Sequence, residues 1–225
     1  MVAQLADLIR QAGPDGRLPT ERELAQRMEV NRATVRGRLD MLEGLGIVRR
    51  RQGAGTFIGR LDPAALAFAL NVALTVSDIS LDSLHSVRVA LERQAAREAA
   101  QLQDHVRIAE MRVALDRLRN ANYDDEEEVE AADFDLHDAL LRASGNPALE
   151  FFADALSSVL REALHYRRAG LRKLTNDRSV MDEVHTAIVD GVLSGDPEVA
   201  AEAVDGHFQA YEAQLRALEL DTQQP

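Results

Sequence analysis

Four side chains in the second half of the chain have the chemistry of a cation site. Asp133 and His137 stand four apart, so on a helix both project from one face. His185 and His207 fall on two later stretches whose neighbours are apolar: Ile188 and Val189 near the first, Phe208 and Tyr211 near the second. One carboxylate and three imidazoles meeting at a point suit a divalent ion such as Zn, Ni or Mn. Spacing alone leaves the plainer reading open, because an Asp-x-x-x-His pair is common and isolated histidines are often core or surface residues. A different chemistry sits near the amino terminus. Arg32 and Arg36 also lie four apart, and guanidinium forks on one helical face can grip guanine edges bidentately or clamp phosphates.

The elements that must carry those arginines are legible nearby. Leu5, Leu8 and Ile9 form a short amphipathic stretch that Gly13-Pro14-Asp15-Gly16 ends. Thr20 and Glu23 stand in the relation of a capping box at the start of a second helix, with Leu24, Ala25 and Met28 as its apolar stripe. Asn31 is a good cap for a third helix bearing Val35, Leu39, Leu42 and Leu45. Two short helices joined by a turn, the second rich in arginine at its start, predict a helix-turn-helix whose second helix enters the major groove of duplex DNA. Two β-branched runs, at Ile47-Val48 and Thr56-Phe57-Ile58, surround a Gly-rich turn and predict a hairpin wing. Arg49 on its first strand and Gly53 at its tip suit contact with phosphates or the minor groove. A solvated charge run is the alternative for Arg49 to Arg51.

Charge supports the division. The chain has 225 residues and a net charge of −12, yet residues 1–60 hold 11 arginines against 7 acidic residues, while the remainder holds 15 basic against 31 acidic. Polyphosphate attracts the first part and repels the second. From Asp62 onward the pattern is helix after helix, at about 62–75, 81–101, 104–121, 126–143, 147–170, 178–194 and 196–219, so the body reads as an all-α antiparallel bundle and the whole chain as mainly α. The acidic run Asp124 to Glu130 reads as a helix start, and Asn146 as a cap between Gly145 and Pro147. His85, His105 and His165 have no partner in the pattern; a solvated basic face is the reading for Tyr166, Arg167 and Arg168. With no cysteine, disulfides and thiolate metal sites are excluded. The longest apolar stretch, Leu66 to Val76, is too short for a membrane helix and no signal peptide is visible, so a cytoplasmic protein without a membrane partner is expected.

The run LPTERELAQRMEVNRATVR from Leu18 to Arg36, followed by Leu45-Gly-Ile-Val48 and the wing Gly53-x-Gly55-Thr-Phe-Ile58, resembles the winged-helix domain of GntR-family bacterial transcription regulators. That resemblance implies that Arg22, Arg32 and Arg36 read DNA, that Thr34 contacts a phosphate or base, and that Gly53 lies near the minor groove. Asn31 stands where Ser or Thr is common. The phrases Val87-Arg88 to Glu92, Asp133-Phe-Asp-Leu-His137 to Asn146, Glu183-Val-His185-Thr-Ala-Ile188 and Gly206-His207-Phe208 are similar to the FCD effector domain of the FadR subfamily. By that similarity Asp133, His137, His185 and His207 fall on the four metal positions. Arg88 would then grip the carboxylate of a small organic acid, the alternative being a structural Arg88–Glu92 pair. The expected organisation is a winged helix-turn-helix at 1–60, a linker and linker helix at 61–80, and an effector-binding and dimerisation bundle at 81–225. The expected function is that of a homodimeric regulator, a repressor, whose affinity for a double-stranded operator responds to the acid. A metal sensor and a metal-dependent hydrolase are the competing readings.

Overall fold

The computed structural model describes residues 15–59, 62–77, 81–156 and 178–222, together with Ala6, Ile9 and Ala12. Leu5, Leu8, His165, Tyr166, Arg167, Arg168 and the expected helix beyond residue 156 lie outside them. The chain divides into two compact units, Met1–Leu70 and Asn71–Pro225.

In the first unit, α1 (Glu21–Arg27) begins with the expected capping box: the Thr20 hydroxyl accepts from the Glu23 amide, and the Thr20 amide donates to Glu23 Oε2 at 2.8 Å. Asn31 caps α2 (Arg32–Gly44) by accepting from the Thr34 amide at 2.8 Å. Strands β1 (Val48–Arg51) and β2 (Gly55–Ile58) form an antiparallel hairpin in which Val48 faces Ile58 and Arg49 faces Phe57. The segment before α1 also bonds to β2: the Leu18 amide donates to the Thr56 carbonyl at 2.8 Å and the Ile58 amide to the Gly16 carbonyl at 2.7 Å. Leu18, Leu24, Met28, Val35, Leu39, Leu42 and Val48 fill the core between helices and wing.

Helix α3 (Pro63–Val76) contains the division between the units. The second unit is all-α: α4 (Leu81–Leu102), α5 (His105–Asn120), α6 (Glu126–Ala143), α7 (147–156), α8 (Arg178–Leu193) and α9 (Pro197–Thr222). Asp104 caps α5 and Asp125 caps α6, where Glu126, Glu127 and Glu128 occupy the dipole-favoured first turn. Between α6 and α7, Gly145 takes a φ of 66°, and Asn146 Oδ1 accepts from the Ala148 amide at 3.0 Å as a local cap.

Small residues let these helices approach closely. Ala96, Ala99 and Ala100 of α4 are almost fully buried, and a Cβ at Gly191 of α8 would meet the Ala200 backbone of α9 at 3.0 Å. Arg93 pairs with Asp205 at 2.9 Å and Arg97 with Glu198, so α4 and α9 run antiparallel. No helix among the described residues is long and apolar enough to cross a membrane.

One backbone contact in the first unit allows no side chain. A Cβ at Gly59 would lie 2.1 Å from the Gly46 carbonyl oxygen, where the Gly59 amide is already tied to the Ile47 carbonyl at 2.8 Å. Gly59→Ala is expected to lower the stability of this unit by about 1–3 kcal/mol through forced backbone displacement. Gly44→Ala, with nothing within 4 Å of its Cβ, is the control; equal melting curves for the two variants would show that the close approach carries no cost.

Candidate metal centre and nucleic-acid interface

Three helices of the bundle converge on one buried set of polar atoms. Asp133 and His137 come from α6, His185 from α8 and His207 from α9, and all four are at most 5% exposed. One nitrogen from each imidazole lies within 4.8 Å of the others. Ring centroids are 4.5 Å apart for His185 and His207, and 4.9 Å for His137 and His207. Asp133 Oδ1 is 3.0 Å from His185 Nε2 and 3.9 Å from His137 Nε2.

The rings are held from behind. His185 Nδ1 donates to the Met181 carbonyl at 2.7 Å, one turn earlier on α8, and His137 Nδ1 donates to Glu92 Oε2 at 2.5 Å. Each ring is thus engaged outward through Nδ1 and directs its Nε2 toward Asp133. His137 Nε2 and His207 Nδ1 are buried with no hydrogen-bond partner among the described residues. A carboxylate and imidazole nitrogens gathered within 4.8 Å of one another in an apolar bundle are complementary to a cation. The four residues therefore fit a divalent ion.

Burial, reinforced by positive potential from His185 and His137, holds the His207 imidazole well below the usual histidine range. Burial also lowers His137, with Arg88 adding to the effect and Glu92 opposing it. Both rings are neutral at neutral pH, the form that binds metal. Burial raises the Glu92 carboxyl, but Arg88 and His137 outweigh it and hold the acid below its ordinary value.

Arg88 lies one turn before Glu92 on α4. Its Nε donates to Glu92 Oε1 at 2.5 Å, and its guanidinium carbon is 5.6 Å from the Phe208 ring centroid. The Arg88–Glu92 pair that the spacing allowed is thus present. Sequence reasoning treated Glu92 only as that partner; its bond to His137, 45 residues away, had no local signal. His85, on the same helix, is buried against Phe208 and Tyr211 with centroids 5.1 and 5.6 Å away, whereas His105 is exposed.

In the first unit Arg22, Arg32, Arg36, Arg49 and Gly53 are exposed and Thr34 is half-buried. The Thr34 hydroxyl donates to Asn31 Oδ1 at 2.9 Å, as part of the cap. Arg36 is tied to Glu21 of α1, Nη2 to Oε2 at 2.8 Å, and this hydrogen bond holds the Glu21 carboxyl below the usual range. The run Arg49 to Arg51 is divided by strand alternation. Arg50 turns back to α2 and pairs with Asp40 and, at 3.1 Å, with Glu43. Arg49 is exposed on the wing, and Arg51 stacks 4.9 Å from the Phe57 centroid. The tip glycine Gly53 has φ 74°, a conformation that a side chain would strain.

A winged helix-turn-helix with a basic reading helix, carried on the same chain as an all-α bundle with a buried polar chamber, defines the class of DNA-binding transcription regulators. The chain matches the gntR family of bacterial regulatory proteins over residues 2–58 and the FCD domain over residues 83–210. It belongs to the GntR family, in the group whose effector-binding domain is of the FCD type.

Among its relatives are the HTH-type transcriptional regulator LutR of Bacillus subtilis, 29% identical over 87% of this chain and 89% of that protein, and the Glc operon transcriptional activator of Escherichia coli, 26% identical over 91% and 82%. The HTH-type transcriptional repressor NanR of Citrobacter rodentium is 28% identical over 96% and 84%. The solved structure of a Streptococcus agalactiae GntR shares the fold, with a TM-score of 0.63, 23% identity and coverage of 96% of this chain and 97% of that one. These matches are to regulators, not enzymes.

The depressed histidines make a signed pH prediction. In the unfolded chain both rings titrate near pH 6.5; in the folded chain, freed of metal by a chelator, they resist protonation. The unfolded state then binds more protons, so stability is fully present above that value and falls as pH drops below it. Urea unfolding in chelator at pH 7.5 and 5.5 should show the loss, and His207→Phe should reduce it. An identical pH dependence in that variant would mean that the chamber does not cause it.

Proposed function

We propose that this regulator is a homodimeric cytoplasmic repressor whose hold on a double-stranded operator is set by a small organic acid bound together with a divalent ion, Zn, Ni or Mn, at Asp133, His137, His185 and His207. The observation that carries this reading is the convergence of one buried carboxylate and three imidazoles, two of them with their outer protons already committed to Met181 and Glu92. When bound, the ion supplies positive charge and further coordination positions for an oxygen-rich ligand. Arg88 supports an anionic ligand: Nε is engaged by Glu92, and the guanidinium carries further N–H donors in a fork matched to a carboxylate.

On the DNA side, Arg22, Arg32 and Arg36 read the duplex with help from Thr34, while Arg49 and Gly53 bring the wing to the phosphates or minor groove. The exposure of the four arginines supports this assignment, as does the fixing of Arg36 by Glu21. A two-fold dimer would present two reading helices to a palindromic site. The acid shifts operator affinity by binding the competent and incompetent states unequally, and coupling of about 1–3 kcal/mol, or roughly 5–150-fold, is the usual scale. The relatives include both a repressor and an activator by name, so a promoter fusion with and without the regulator gene is the measure of sign.

The test is fluorescence anisotropy on an operator fragment with metal-loaded and chelated protein, titrated with a panel of small hydroxy, keto and dicarboxylic acids. The expected result is an acid-dependent change in affinity that requires the metal and is blunted in Arg88→Ala, whose DNA binding without acid is intact. A full response to metal with no acid would establish a metal sensor instead, and no response to any acid by the loaded protein would remove the effector reading. Arg32→Ala should cost about 1–3 kcal/mol and relax preference at one base pair. Arg49→Ala should weaken all sequences alike and flatten the salt dependence.

A further inference from the structure

Helix α4 gives no ligand to the cation set, yet it places one carboxylate directly behind it. Glu92 is 1% exposed, so its charge must be satisfied within the protein. Its two oxygens are divided between two partners: Oε1 accepts from Arg88 Nε and Oε2 from His137 Nδ1, each at 2.5 Å. We propose that Glu92 is a positioning residue for the metal centre, holding His137 as the Nδ1–H tautomer so that its Nε2 lone pair faces Asp133, His185 and His207.

The geometry distinguishes this from a simple helix-stabilising ion pair. Such a pair needs one oxygen or a bidentate grip on Arg88, whereas here Arg88 takes one oxygen and leaves the other aimed at the ring. The neutral Met181 carbonyl performs the orienting part of the task for His185. A carboxylate does more: it fixes the ring and raises the basicity of the opposite nitrogen, which strengthens a metal–imidazole bond. Arg88 compensates the buried charge and keeps Glu92 from swinging into the ligand set. His207 and Asp133 come from α9 and α6, so through Glu92 the set is also tied to α4.

This inference rests on the metal reading above, and its test separates the two. In full-length protein stripped of metal, ¹⁵N-edited histidine spectra at neutral pH report which ring nitrogen carries the proton, with His137 assigned by its loss in His137→Phe. The wild type should show His137 as Nδ1–H. Glu92→Met, which removes the acceptor, should lose that preference, while Glu92→Gln, which keeps an acceptor oxygen, should retain it. Zn²⁺ affinity measured against a competing chelator should fall about tenfold in Glu92→Gln and toward a hundredfold in Glu92→Met, the usual range for removing a partner of a metal-bound histidine.

A wild-type His137 protonated on Nε2 would overturn the proposal. So would folded Glu92 variants that melt at a lower temperature but keep both tautomer and Zn²⁺ affinity, which is the result of a purely structural role. If Glu92→Met does not fold, the Zn²⁺ affinity of Glu92→Gln decides. If the wild type takes none of Zn²⁺, Ni²⁺ and Mn²⁺, the functional reading fails, and the tautomer spectra still decide whether Glu92 sets the ring.

Discussion

The constraint on which the helical unit turns is the enclosure of negative charge and lone pairs inside an apolar bundle. Asp133, three imidazoles and Glu92 are all at most 5% exposed, and polar groups so placed are costly unless each has a partner. Outward-facing atoms find theirs in the Met181 carbonyl and in the Arg88–Glu92 pair. The inward-facing atoms gather at one point, where His137 Nε2 and His207 Nδ1 have no hydrogen-bond partner among the described residues, and their shared polarity calls for positive charge. Alanine-rich faces on α4 and α9 and the glycine on α8 bring the helices near enough for side chains from different elements to meet.

The winged unit handles its arginines by a different rule. They sit on an exposed surface where an ion pair contributes little to stability, so pairing there works mainly as placement. Glu21 fixes the direction of Arg36, and Asp40 with Glu43 draws Arg50 back to brace the wing against α2. Arg49 and Arg51 are left on the outer face of the hairpin by the alternation of the strand. A run of three like charges is thereby sorted into one structural and two surface residues.

Much of this architecture is readable from local pattern. Thr20, Asn31, Asp104 and Asp125 cap helices because their side chains satisfy amides two or three residues away, an interaction contained within a few residues of sequence. The expected bundle helices that fall within the described residues appear with ends shifted by at most a few residues. Gly53 and Gly145 mark turns because only their backbone freedom is at issue. The four residues read as a metal set were chosen by type, apolar neighbours and family resemblance, and the fold does bring them together.

What the amino-acid sequence determined by itself was every feature whose partners lie within a turn of each other: caps, helix spans, the wing, the split of charge between the two parts of the chain, and the shared face of Asp133 with His137. Tertiary structure decided the rest. That Glu92 serves His137 rather than Arg88 alone, that Arg36 belongs to Glu21 and that Arg50 faces inward all depend on contacts between separate elements. Hydrogen bonds and ion pairs act over a few ångströms, and only packing decides which distant residues come within that reach.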